Sequence, residues 1–119
     1  MDYFRKATTT SPAVMMDSKT KSALISGTSI CRDITVYASV VNEMKQNLLN
    51  FDYTDLNIKL GTFNTMAAKT LLDLLRTIKF SKGVKPSVHW YHDREDKEMR
   101  EMANDYSQLL EMEIDISAN

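Results

Sequence analysis

Between Leu56 and Ile78 the hydrophobic pattern changes period, and this change constrains the fold more than any other feature of the chain. Leu56, Ile58 and Leu60 alternate with Asn57 and Lys59, the period of a strand with one buried face. Beyond the stretch Gly61-Thr62-Phe63-Asn64-Thr65-Met66-Ala67-Ala68-Lys69, the residues Ala68, Leu71, Leu72, Leu75 and Ile78 recur at helical spacing. A strand passing through a short loop into a helix is half of a β-α-β unit. A sheet covered by helices on both faces would read as continuous apolar runs. The alternation instead puts the helices mainly on one face and leaves a polar second face open to a partner.

The remaining segments fit the same scheme. Residues 1–9 read as a loose N-terminal segment, although Tyr3 and Phe4 are able to pack. Ser11 to Met16 and Lys21 to Gly27 read as two strands of a hairpin around the polar turn Asp17-Ser18-Lys19. Asp33 is placed to cap a first helix, in which Val36/Tyr37, Val40/Val41, Met44 and Leu48 form the apolar stripe to about Asn50. The second helix runs from about Asn64 to Phe80, with Gly83 as its C-terminal cap. Val84 to Tyr91 is a strand, and Met99, Met102/Ala103, Tyr106 and Leu109/Leu110 mark a third helix. Met112, Ile114 and Ile116 alternate in a last strand. The expected order is β-β-α-β-α-β-α-β, an α/β single domain with a mixed sheet and right-handed crossovers.

The 119 residues suffice for one domain, and the net charge of −1 argues against a nucleic-acid partner. A single cysteine, Cys31, excludes an internal disulfide and a multi-cysteine zinc site. The polar start carries no signal peptide, and no apolar run approaches the length of a membrane span, so the cytoplasm is the default location. His89 and His92, with only Asp93 nearby, match no metal-ligand motif. The scattered glycines form no phosphate loop, and no nucleophile motif is present. These absences point away from an enzyme and from a cofactor. The oligomeric state is left open.

Two stretches invite a functional reading. Asp93, Glu95, Asp96 and Glu98 open the third helix, where carboxylates complement the helix dipole; the alternative is a recognition surface for a basic partner, which Arg94 and Lys97 interrupt. Asn64 or Thr65 is placed to cap the second helix. Alternatively Thr65 is a phosphorylation site: backbone N–H groups and the dipole would favour the phosphate, and Lys69 lies one turn on to pair with it.

At this point the chain resembles a known family. Phe63-Asn64-Thr65 followed by Lys69-Thr70-Leu71-Leu72-Asp73-Leu74-Leu75 is similar to the Phe-Asn-Thr signature of the SiaC family of bacterial regulatory phosphoproteins. Val88-His89-Trp90-Tyr91-His92 and Asp105-Tyr106-Ser107-Gln108-Leu109-Leu110 continue the likeness, which extends from about Thr10 to Ile116. The resemblance implies a fold like the STAS domain of anti-sigma-factor antagonists and a partner-switching role. A kinase would phosphorylate Thr65 and a PP2C-like phosphatase would reverse it. The unphosphorylated form would bind and activate a diguanylate cyclase, raising cyclic di-GMP and promoting biofilm. The alternative output is binding of an anti-sigma factor or a histidine-kinase-like protein. Phe63, Asn64, Met66 and Lys69 would form the phosphosite loop, with Trp90, Tyr91, Asp93, Glu95 and Asp96 as further partner surface. Met66 and Ala67 replace two serines of the signature, so Thr65 is its only hydroxyl.

Overall fold

A computed structural model describes residues 3–9, 11–29, 34–50, 53–81 and 85–119, with the backbone alone at positions 29, 34, 36, 37, 49, 50, 62 and 63. Its elements are β1 (Tyr3–Arg5), β2 (Ala13–Asp17), β3 (Ser22–Ser29), α1 (Ile34–Asn50), β4 (Asp55–Phe63), α2 (Thr65–Phe80), β5 (Ser87–His92), α3 (Lys97–Leu110) and β6 (Ile114–Ala118). All six strands join one mixed sheet, in the order β1-β2-β3-β4-β5-β6. β1, β2 and β3 pair antiparallel, and β3 to β6 pair parallel.

The strand order never reverses. Each crossover therefore steps the same way along the sheet, and crossovers of one hand place their helices on one face. Burial agrees. Val14, Met16, Ala23, Ile25, Leu56, Ile58, Val88 and Trp90 are buried beneath the helices. Their strand neighbours Met15, Leu24, Asn57, Lys59, His89 and Asp115 face the other way. The helices supply Val40, Val41 and Met44 from α1, Leu71, Leu74, Leu75 and Ile78 from α2, and Met99, Ala103 and Leu110 from α3. Lys45 on α1 pairs with Asp73 on α2 at 2.6 Å.

Several expected boundaries move. The N-terminal segment is not loose throughout: Tyr3–Arg5 is an edge strand in register with Val14–Met16, and Tyr3 packs on the core. The expected loop at Gly61–Phe63 is strand, because β3 continues alongside and pairs Ser29 with Phe63. Ser81 ends α2, its N–H donating to the Ile78 carbonyl at 3.3 Å. Asp33 and Gly83, expected caps, lie outside the described residues, as do Cys31 and Val84.

Candidate functional site

With β4 extended to Phe63, only Asn64 separates strand from helix, and Thr65 is the first residue of α2. The cap is Asn64. Its Oδ1 accepts the Ala67 N–H at 3.1 Å, and its carbonyl accepts the Ala68 N–H at 2.9 Å. Thr65 is thereby spared the capping role; its side chain is exposed, and its hydroxyl has no hydrogen-bond partner among the described residues. The Thr65 and Met66 amides, the first of the helix, are the donors this cap does not take. No acidic side chain occupies the first turn of α2. Met66 and Lys69 are exposed beside Thr65, with Lys69 one turn on. Thr70 lies inside the helix, its hydroxyl donating to the Met66 carbonyl at 2.9 Å. The side chains of Thr62 and Phe63 lie outside the described residues.

This helix start is braced from beneath. The Tyr106 hydroxyl on α3 donates to the Ala68 carbonyl at 2.7 Å. The Tyr106 ring meets Trp90 edge-on, centroids 5.7 Å apart and planes at 67°. Burial raises the Tyr106 pKa, so the phenol stays a donor at neutral pH. Trp90 has 0% exposure. Its expected place on a partner surface is therefore a correction: alternation puts Trp90 on the same side as Val88, under the helices. Periodicity marks Tyr106 as a stripe residue; its contact joins positions 38 apart in sequence, which no local pattern shows.

The turn at residues 93–96 follows the carboxyl end of β5, as Thr65 follows that of β4. The two strands are adjacent and parallel, so both segments lie at one end of the sheet, where open α/β sheets commonly bind. Asp93 and Glu95 are exposed there. Asp96 caps α3, its Oδ1 accepting the Met99 N–H at 3.0 Å, and Glu98 sits in the first helical turn. Tyr91 lies half-buried on the open face, beneath Lys59 Nζ at 4.9 Å from its ring centre. His92 is strand, not loop, and is buried with its Nδ1–H donating to the Asp93 carbonyl at 2.8 Å. It faces the helices while His89 faces away, so the two rings do not converge. Among the described residues, no group of three His, Cys, Asp or Glu side chains is placed to hold a metal ion. Among them, no helix is long and apolar enough to cross a membrane.

Fold and site together define a one-sided, sequentially wound α/β domain that displays a threonine hydroxyl at the start of a helix. Comparison with known proteins places it further. The chain belongs to the SiaC family: the model of SiaC family regulatory phosphoproteins matches residues 5–119. It is similar to a chain of the crystal structure of the diguanylate cyclase SiaD in complex with its activator SiaC from Pseudomonas aeruginosa, with a TM-score of 0.83 at 20% identity, covering 99% of this chain and 100% of that one. It is also similar to apo-SiaC of P. aeruginosa, with a TM-score of 0.76 at 22% identity over 99% of both chains. Among curated proteins, none matches this chain.

Proposed function

We propose that this chain is a non-enzymatic partner switch controlled by reversible phosphorylation of Thr65, whose unphosphorylated form binds and activates a diguanylate cyclase in the cytoplasm. One observation carries the reading: the exposed Thr65 hydroxyl at the first position of α2, without a hydrogen-bond partner among the described residues, in a chain of the SiaC family. A cognate kinase transfers a phosphoryl group to Thr65 Oγ1, which loses its proton, and a PP2C-like phosphatase hydrolyses the ester. The phosphate adds about −1.5 to −2 charges next to helix N–H donors, with Lys69 one turn away to pair with it. It also stands at the same end of the sheet as Asp93 and Glu95, so the phosphate adds to the negative charge already there. Met66, Lys69, Tyr91, Asp93 and Glu95 form the surface that reads the change. The likeness to SiaC, an activator of SiaD, supports a cyclase as the partner.

Incubation with the cognate kinase and ATP, followed by mass-spectrometric mapping, is expected to place one phosphate on Thr65 and none on a Thr65→Ala variant. Cyclase activity should rise with the unphosphorylated protein and not with the phosphorylated one. A phosphate on another residue, or equal activation by both forms, overturns the reading. Capture of an anti-sigma factor or a histidine-kinase-like protein in place of a cyclase would keep the switch and replace its output.

A further inference from the structure

The open face of the sheet carries a row of side chains in register across all six strands: Phe4, Met15, Leu24, Asn57, His89 and Asp115. Its β1–β3 half is apolar and its β4–β6 half is polar. Within the polar half, His89 on β5 reaches to both sides. Its Nε2 lies 3.0 Å from Asp55 Oδ1 on β4, and its Nδ1 lies 3.2 Å from Asp115 Oδ2 on β6. A carboxylate only accepts, so each of these hydrogen bonds requires an N–H on the ring. A neutral imidazole has one N–H; only the imidazolium has two. The observed geometry is therefore that of a charged ring held between two carboxylates.

We propose that Asp55, His89 and Asp115 form a proton-operated clamp across the parallel strands β4, β5 and β6, closed while the ring carries both N–H protons and open on the Asp115 side when one is lost. The two arms are unequal. Asp55 also accepts from the Thr54 hydroxyl at 3.0 Å, and its side chain is 45% exposed against 68% for Asp115. A neutral ring keeps its remaining N–H on Asp55 and turns the Nδ1 lone pair toward the Asp115 carboxylate, which repels it. Asp115 stands on β6, the terminal strand of the sheet. Loss of the proton thus releases the open face of that strand and adds one net negative charge to it.

The neighbouring groups leave this control with the ring. From β4 the charged side chains on the same face are Asp55 and Lys59, the latter held over Tyr91. From β6 they are Asp115 and, at the approach to the strand, Glu113, which lines the same shallow hollow as His89. β3 contributes Ser22 and Leu24, without charge. Burial of the ring opposes its charge, but the bonds to Asp55 and Asp115 outweigh this and hold His89 above its ordinary 6.5. The His89 bond, then the Thr54 hydroxyl, hold Asp55 below its ordinary 3.8. The His89 contribution is complete below 6.5 and lost as pH rises through the raised value; the Asp55 contribution is complete above 3.8 and lost as pH falls through the lowered value. The clamp is closed between these limits.

This inference is independent of Thr65. Nitrogen and proton NMR of the His89 ring in the full chain is expected to show both nitrogens protonated in the closed range and titration above 6.5. Asp115→Asn and Asp55→Asn, both at solvent-accessible positions, should each shift that titration downward. Amide exchange at Ile116 and Ser117, corrected for intrinsic rate, should speed up across the titration in the natural chain and stay flat in Asp115→Asn. Titration at or below the ordinary value overturns the clamp, as does a titration unmoved by both carboxamides. Exchange in β6 that ignores the titration overturns its release.

Discussion

The starts of α2 and α3 are built alike and charged differently. Asn64 Oδ1 accepts from Ala67 N–H at 3.1 Å, and Asp96 Oδ1 accepts from Met99 N–H at 3.0 Å. Around this shared cap, α3 gathers Asp96 itself and Glu98, whereas α2 has a neutral cap and no acid in its first turn. A negative charge at such a place contributes about 0.3–1 kcal/mol at low salt. The chain takes that gain permanently at α3 and leaves it untaken at α2, next to Thr65. A helix start already satisfied electrostatically has little to gain from a phosphate. One held by a neutral amide can receive the charge and lose it again without the helix depending on it.

The largest effect is expected from removing the residue behind the brace that only α2 has. Trp90→Ala should cost about 3–5 kcal/mol, since the ring fills the core and meets Tyr106. Urea denaturation reads the loss. Amide exchange should then show the first turn of α2, which Tyr106 anchors, opening more readily than the Asp96-capped turn of α3. Equal opening would mean that the brace does not distinguish the two. Next come the caps themselves. Asn64→Ala and Asp96→Ala should each cost about 1 kcal/mol. The Asp96 loss should be the larger at low salt and converge on the Asn64 loss at high salt, where the charge contribution is screened. The smallest effect is the sharpest. Asn64→Asp should stabilise by about 0.3–1 kcal/mol at low salt, and Asp96→Asn should destabilise by a similar amount. A neutral result for Asn64→Asp would erase the difference between the two starts.

Much of this architecture is legible without coordinates. Alternation at Leu56, Ile58 and Leu60 announces a sheet with one dry face, and the helical stripes lie where the periodicity puts them. The misreadings have particular causes. Gly61 and Thr62 look like loop residues, yet β3 runs beside them and pairs through Ser29 and Phe63. Tyr3–Arg5 is too short to show a period and becomes a strand through its partner, β2. Family likeness suggests Trp90 as partner surface, whereas its alternation with Val88 points it inward. At the site, the place of Thr65 ahead of a helical stripe is legible, and the sequence offers both Asn64 and Thr65 as caps. Which one caps depends on the length of β4, and so on strand pairing. The Tyr106 brace and the Asp55–His89–Asp115 bridge depend on contacts 38, 34 and 26 positions apart. No periodicity encodes these, because they follow from register and packing.

The sheet numbers its strands in the order the ribosome makes them. Each new strand is laid against the one completed before it, and none has to be inserted between two already paired. Synthesis proceeds from the N-terminus at about 5–20 residues per second, so β1 to β3 emerge as a finished meander before the first parallel strand arrives. Thr65 emerges next, about 1–5 seconds ahead of Trp90 and about 2–8 seconds ahead of Tyr106, which hold its helix in place. During that interval the threonine is present in the chain but not yet presented on a braced helix. A kinase that requires the folded helix start would therefore act on finished molecules and pass over nascent ones.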